Sequence, residues 1–368
     1  MRTSERSRLS GVEAVSEYLL SASWSAEIRQ QHLCGADGPV AQLEEKLRRF
    51  YGMKHALCVS NATTGLFALA LAAGLRRSEF VTTPFTYGAT VAGWLLLGGR
   101  PKFADIDPHT LSLDCDSVRR VITPKTKALL AVDVLGIPSD TKALRALSDE
   151  YGIWYFADAS QSLGAMRDGI PASSLADALV VSFTAGKTLF AGEGGAILTS
   201  NSALYEKLIF YTQHPSRQRR ELGLSLDNEL AFNARMAPTS AAWANATFES
   251  SLRRLRRHQR KCFQVIDALN DIGLTAPITF KTDNIKPSFF RLTCALKREP
   301  RVPSTLLREL HSRNLPLTLE NLPLRLIHHQ PAFRAQYPQY VQKAPSCPQA
   351  ERQTSIRRLL TEVRAARV

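Results

Sequence analysis

Between His55 and Ser200 the chain alternates short apolar runs with longer segments of helical spacing, and this alternation limits the fold more than any other feature. HALCVS (55–60), FVTTP (80–84), PKFADID (101–107), KALLAVDV (127–134), IWYFAD (153–158), ALVVSF (178–183) and GAILTS (195–200) have strand length and strand composition. The Ala/Leu-rich segment from Thr63 to Leu75, Ala89–Leu97, and a segment from about Asp140 to Tyr151 read as helices, as does PVAQLEEKLRRFY (39–51) upstream. Near-continuous apolar strands separated by helices predict an α/β fold with a mostly parallel sheet covered on both faces. Ligands of such sheets bind beyond the carboxyl ends of the strands, so the polar residues there are the first candidates for chemistry.

After Ser240 the pattern changes. Leu252, Leu255, Cys262, Ile266 and Leu269 form one stripe of a long amphipathic helix over 240–270. Residues 275–368 are Pro-rich and mixed, and Ile356, Leu359, Leu360 and Val363 suggest a terminal amphipathic helix over 355–366. The division expected is a large domain over 1–240, then the connecting helix and a small C-terminal domain over 241–368. Charge divides at nearly the same place. The net charge is +14, yet residues 1–250 hold 25 basic and 25 acidic residues, so the whole excess lies in 251–368. RRLRRHQRK (253–261) has no interleaved aromatic residues, so a solvated helix face is expected there rather than a nucleic-acid surface. A positive rim that attracts a diphosphate is a second use.

Composition excludes several classes. The six cysteines show neither CxxC nor zinc spacing, so no metal is expected, and scattered thiols in a long chain fit a reducing, cytoplasmic setting. There is no signal-like N-terminus and no 18-residue apolar run, so no membrane association is expected.

Four strand ends carry unusual residues. SNATTGL (60–66) runs from a strand into a helix, where small residues let backbone amides face an anion; it also fits an ordinary turn. Asp158 ends IWYFAD, where a carboxylate suits a metal, a ribose, a protonated ring nitrogen or a helix cap. Lys187, in SFTAGKTLFAGEGGA (182–196), is a surface-turn lysine or one placed for Schiff-base chemistry. Tyr87, in FTYGAT (85–90), packs or stacks on a planar ring. Together, a phosphate turn, an aromatic, an acid and a lysine suit pyridoxal phosphate: an anion, a flat ring, a basic ring nitrogen and an aldehyde.

From about Gly38 to Leu269 the sequence resembles the DegT/DnrJ/EryC1/StrS aminotransferases, a branch of the fold-type-I pyridoxal phosphate enzymes. The likeness is carried by GPVAQLEEKLRRFYGMKHALCVSNATTGL, PKFADIDPHTLSLD, ADASQSLGA, SFTAGKTLFAGEGGAILTS and FNARM, in the family's order and spacing. The resemblance implies a seven-stranded, mostly parallel sheet and a smaller α/β C-terminal domain. It implies that Lys187 forms the Schiff base with pyridoxal 5'-phosphate and that Asp158 pairs with the pyridine nitrogen. Gln161 is implied beside the ring's phenolic oxygen, Tyr87 on the ring face, and Thr63, Thr64 and Ser182 around the phosphate. Asn233 is implied to reach the phosphate of a neighbouring subunit, which makes a homodimer with shared sites.

The activity implied is ping-pong transamination. Glutamate or glutamine leaves its amino group as pyridoxamine 5'-phosphate, and a keto sugar, nucleotide-linked in most of the family, accepts it. Alternatives are an aminocyclitol or other natural-product ketone as acceptor, or a cofactor-binding protein recruited to a non-transamination or regulatory role. Several positions depart from the family pattern. Ala62 stands in place of Gly, RRSEFV (76–81) replaces a Gly-Asp-Glu-Val run, and Asp133 and Thr184 each stand where a His is common. HPSRQRRELGLSLDNEL (214–230) is only weakly similar. Past Leu269 the likeness thins to IHHQPAF (327–333), whose His328 and His329 lie where relatives have a His in a substrate-side loop and equally fit a solvated loop pair, and CPQAER (347–352); no final strand is evident after them.

Overall fold

The computed structural model describes residues 11–21, 32, 35, 37–225, 228–271, 284–295, 317–321, 325–341, 347–355 and 357–361. Helices α1 (Gly11–Ser21) and α2 (Gly38–Tyr51) precede the sheet. Asp37 accepts from the Gly38 amide, Pro39 occupies the first turn, and Gly52 closes α2 in the left-handed region at φ 67°, so that helix is bounded by its own sequence.

Seven strands follow in the order β1-β9-β8-β5-β4-β2-β3. They are β1 (His55–Val59), β2 (Glu79–Thr82), β3 (Arg100–Phe103), β4 (Thr126–Val132), β5 (Trp154–Asp158), β8 (Ala178–Ser182) and β9 (Gly195–Thr199). All pairings are parallel except those of β9, which runs against both β1 and β8. Right after β1 comes α3 (Ala62–Ala72), and α4 (Ala89–Leu96), α5 (Cys115–Val121) and α6 (Thr141–Tyr151) link the next strands. Alternation within single strands builds two cores. Leu57, Val59 and Phe156 face one, while Cys58, Tyr155 and Ala157 face the other. All are essentially excluded from water, as expected for a sheet with helices on both faces.

Two short strands, β6 (Met166–Arg167) and β7 (Ile170–Pro171), pair with β10 (Ile285–Lys286). Helices α7 (Ser202–Thr212) and α8 (Pro215–Leu222) come after the main sheet. Next is α9 (Pro238–Asp271), the long helix expected from the apolar stripe. Leu255, Cys262 and Ile266 are buried, whereas the side chain of Leu269 lies outside the described residues. The first half of α9 packs on α1 and α2, and Ala241, Ala244 and Phe248 join the second core. Asn245 fixes the contact, donating from Nδ2 to the Pro39 carbonyl at 2.7 Å while its own carbonyl accepts from Lys46 Nζ at 2.9 Å. Arg253, Arg256, Arg257, Arg260 and Lys261 are exposed on α9, and no carboxylate lies within 4 Å of them among the described residues.

The C-terminal expectation is corrected. Residues 357–361 form strand β13 (Arg357–Thr361), the centre of an antiparallel sheet between β11 (Leu292–Ala295) and β12 (Leu317–Asn321), and not a helix. A five-residue segment with adjacent leucines is too short for periodicity to separate helix from strand. Pairing of Leu359 with Cys294 on one side and Leu319 on the other decides it. This strand is the final one that the sequence did not make evident.

Candidate active site

The carboxyl ends of β1, β8, β5, β4 and β2 lie along one edge of the sheet, and each leads into one of the segments singled out above. Asn61 caps α3: its Oδ1 accepts from the Thr64 amide at 2.8 Å and its carbonyl accepts from Gly65 at 3.0 Å. The amides of Ala62 and Thr63 then have no acceptor among the described residues, at the positive end of an 11-residue helix. That is an anion cradle. The room beside it comes from Gly195, where an added Cβ would stand 2.7 Å from the Ala62 nitrogen. Ser182 pairs in register with Gly195, as Val59 does on the other side, so β9 sets the hydroxyl of Ser182 close to the α3 turn. The Ser182 Oγ also lies 3.2 Å from Thr184 Oγ1.

Asp158 is buried at the end of β5, 7% exposed. Its Oδ2 accepts from Thr90 Oγ1 at 2.6 Å and its Oδ1 from the Ser160 amide at 3.0 Å. Thr90 Oγ1 in turn lies 2.8 Å from Thr86 Oγ1, four residues earlier in the bend that precedes α4. Both hydrogen-bond donors are neutral, so they orient the carboxylate without supplying a counter-charge, which fits a cationic ring nitrogen. The Thr86/Thr90 pair was not singled out in the sequence, although its i, i+4 spacing beside Tyr87 is a usable signal.

Lys187 follows β8 in a turn closed by its own amide on the Thr184 carbonyl at 3.2 Å. Its Nζ lies 4.3 Å from the centroid of Phe290, which comes from the distant segment before β11. Burial pushes the Lys187 ammonium below the ordinary lysine range, and the charge of Asp158 pulls it back up. A depressed lysine keeps a larger neutral fraction near neutral pH, as a nucleophilic amine requires. Nothing in NIKPSFF announced Phe290 as part of the site.

A turn after β4, Val134–Gly136, joins the two parts of the chain. Leu135 takes φ 59°, and its amide donates to Gln161 Oε1 at 2.7 Å. Because an N–H must meet an oxygen, the Gln161 amide group is oriented with Nε2 left as a donor, the role implied beside the ring. Ser288 donates to the Gly136 carbonyl from its amide at 2.9 Å and to the Gln161 carbonyl from Oγ at 2.6 Å. Only glycine fits at residue 136: φ is 82°, and a Cβ would collide with Ser288 Oγ. Asp133, where relatives have His, is sealed below this turn. It accepts from the Ser139 amide, Ser162 Oγ and Ser173 Oγ, and burial raises its pKa.

The two remaining candidates face outward. Tyr87 is 72% exposed. Asn233 is exposed, between residues fixed to the α3 turn: Ser60 donates to the Ala234 carbonyl at 2.8 Å, and Arg235 bridges to Val59.

A family model for these aminotransferases matches residues 26–361. The chain belongs to the DegT/DnrJ/EryC1/StrS aminotransferase family. Among curated relatives, a UDP-2-acetamido-2-deoxy-3-oxo-D-glucuronate aminotransferase of Pseudomonas aeruginosa is 36% identical over 51% of this chain and 53% of its own length. GDP-perosamine synthase of Vibrio cholerae is 32% identical over 46% and 47%. A pleiotropic regulatory protein of Geobacillus stearothermophilus is 31% identical over 57% and 55%. The chain thus spans about half the length of the curated relatives it matches. Among solved structures, DesI with its TDP-sugar product shares 28% identity at a TM-score of 0.71, covering 88% of this chain and 79% of that one. The sugar aminotransferase CalS13 of Micromonospora echinospora superposes at 0.77, with 24% identity and coverage of 97% and 93%, which shows the same fold.

The residues present fit the family's cofactor, pyridoxal phosphate. An anion cradle, a buried carboxylate held by neutral donors, and a desolvated lysine lie at neighbouring strand ends of one sheet edge. No described helix is long and apolar enough to cross a membrane.

Proposed function

We propose that this protein is a pyridoxal phosphate-dependent aminotransferase that passes an amino group from glutamate or glutamine to a nucleotide-linked keto sugar in a ping-pong cycle. The observation that carries the reading is the Lys187 amine, desolvated beside Phe290 and within the field of buried Asp158. Bound pyridoxal phosphate supplies an aldehyde carbon and a ring that accepts the electron pair released at the substrate carbon. The α3 amides hold the phosphate end, Gln161 Nε2 donates beside the ring, and Asp158 holds a proton on the pyridine nitrogen. Neutral Lys187 Nζ takes the proton from the amino-bearing carbon of the donor and delivers one to the acceptor carbon. The ketone class rests on the sugar-linked names of the relatives. The purified holoenzyme should be yellow and lose its visible band when glutamate or glutamine is added. A band that no amino donor changes would overturn transamination and favour the regulatory reading, to which the likeness to the Geobacillus protein lends support.

Asp158→Asn keeps the shape and the Thr90 contact but removes the charge. The rate of amino transfer should fall by about 10²–10³-fold, the usual effect of losing one preorganised electrostatic partner. Steady-state kinetics at saturating cofactor measures it, and a change under threefold would remove Asp158 from the assigned role.

The homodimer is part of the same proposal. Exposed Asn233 is the residue assigned to the partner's phosphate, and its fixed neighbours Ala234 and Arg235 would carry it there without rearrangement.

A further inference from the structure

Two segments of the C-terminal part meet beyond the ends of β2 and β3. One is the turn Ile327–His329, anchored when the Ile327 amide donates to the Pro84 carbonyl at 3.0 Å. The other is helix α12 (Pro348–Ser355), whose first turn is held by Asp105: its two carboxylate oxygens accept from the amides of Gln349 and Ala350 at 2.9 and 2.8 Å. Leu326, Ile327, Cys347 and Ala350 are buried in the first core, so both anchors are rigid. They bring together His328, His329 and Glu351, each with one ligand atom within 4.8 Å of the others.

The approach of His328 to Glu351 suits coordination better than a direct hydrogen bond. His328 Nε2 stands 3.7 Å from Glu351 Oε1, too far for an N–H···O bond. Two ligands on a tetrahedral zinc with bonds near 2.1 Å are about 3.4 Å apart. His328 is 6% exposed, and its Nδ1 is buried with no hydrogen-bond partner among the described residues. The two imidazole rings touch edge to face at 4.3 Å. Phe103 packs 5.8 Å from the His328 ring, which walls the site on its inner side.

We propose that His328, His329 and Glu351 bind a zinc-type divalent cation, one ring nitrogen from each histidine and a carboxylate oxygen, with a remaining position open to water. Two imidazoles and a carboxylate select zinc over magnesium or calcium, which prefer all-oxygen shells. Arg334 opposes a bound cation: its Nε donates to the His328 carbonyl at 3.2 Å and keeps a positive charge on the rim. The ion would clip the turn to α12, and so fasten the C-terminal part to the loop after β2 that carries Tyr87. The lysine chemistry does not depend on it.

The experiment uses the full-length holoenzyme, stripped with a chelator and dialysed. Zinc chloride is titrated by calorimetry, and cobalt(II) is followed by its visible ligand-field bands. The expected result is one zinc per chain, a higher unfolding midpoint with zinc than without, and a cobalt spectrum of tetrahedral or five-coordinate intensity. His329→Ala, an exposed position that should leave folding intact, and Glu351→Gln should each weaken zinc binding at least tenfold and abolish the midpoint shift. Zinc bound equally by wild type and His329→Ala would place it at other groups, such as the thiols or the cofactor, and overturn the proposal. An absence of stoichiometric binding to the wild type would overturn it as well.

Discussion

Lys187→Ala is expected to leave a folded protein whose rate of amino transfer is lower by about 10⁴-fold or more. General acid–base catalysis by one positioned group contributes up to about that factor, and this side chain also supplies the nucleophile. Lys187 sits in a turn, half-buried, with the ring of Phe290 over its amine, and after its removal Asp158 is still held by the Thr90 hydroxyl and the Ser160 amide. The variant should still bind pyridoxal phosphate through the α3 cradle, Asp158 and Gln161, without the visible band of the wild type. Stopped-flow absorbance with excess glutamate measures the donor half, and product analysis with a keto sugar measures the other. The same variant tests the shared site. Mixed with Asn233→Ala chains, it should regain activity, because one site of each mixed dimer then has both residues. No recovery in a preparation shown to contain mixed dimers would place Asn233 in its own subunit's site.

Glu44→Ala should destabilise the protein by about 3–5 kcal/mol, the usual cost of stranding one partner of a buried ion pair. Arg217, 1% exposed, donates from Nη1 and Nη2 to the two Glu44 oxygens at 3.1 and 2.9 Å, and from Nε to Glu221 at 2.7 Å. Glu44 also accepts from the Cys58 amide at 2.7 Å, inside β1. One carboxylate therefore ties α2, β1 and α8 together just upstream of the phosphate turn. Arginine does not deprotonate in proteins, so losing Glu44 leaves a buried cation whose Nη1 and Nη2 have lost their carboxylate, with Glu221 remaining on Nε alone. Denaturant unfolding measures the loss, with Glu44→Leu/Arg217→Met as the counterpart. Removing both charges should restore most of the stability. If the single variant lost less than about 1 kcal/mol, the pair would be behaving like an exposed one.

What the sequence revealed and what it hid divide along a physical line. The strands are local apolar runs of the right length, and Asp158 and Lys187 stand at strand ends, where topology alone makes polar residues significant. Nothing local marks Phe290, because its relation to Lys187 is created by a turn, a serine and a long helix that meet only in the folded chain. Glu44 reads as an ordinary charge on the helix over 39–51, and Arg217 lies in the weakly similar segment 214–230, until the packing closes over both. Strand β13 was misread because an isolated run of five residues has no period to measure, whereas its partners lie far away in sequence.

The segment bearing Phe290 hangs from the Val134–Gly136 turn through Ser288, and from α9 through His258 Nε2 on the Phe289 carbonyl at 2.9 Å and Gln259 Nε2 on the Pro287 carbonyl at 2.8 Å. This has a consequence for synthesis. A chain that grows from its N-terminus completes the sheet edge, with Lys187 and Asp158 in place, about a hundred residues before the wall over the lysine has been made. Until then the amine is open to water and to any small aldehyde in its surroundings. Protection of Lys187 is therefore an event of late folding, set by long-range docking and not by the order in which the catalytic residues are translated.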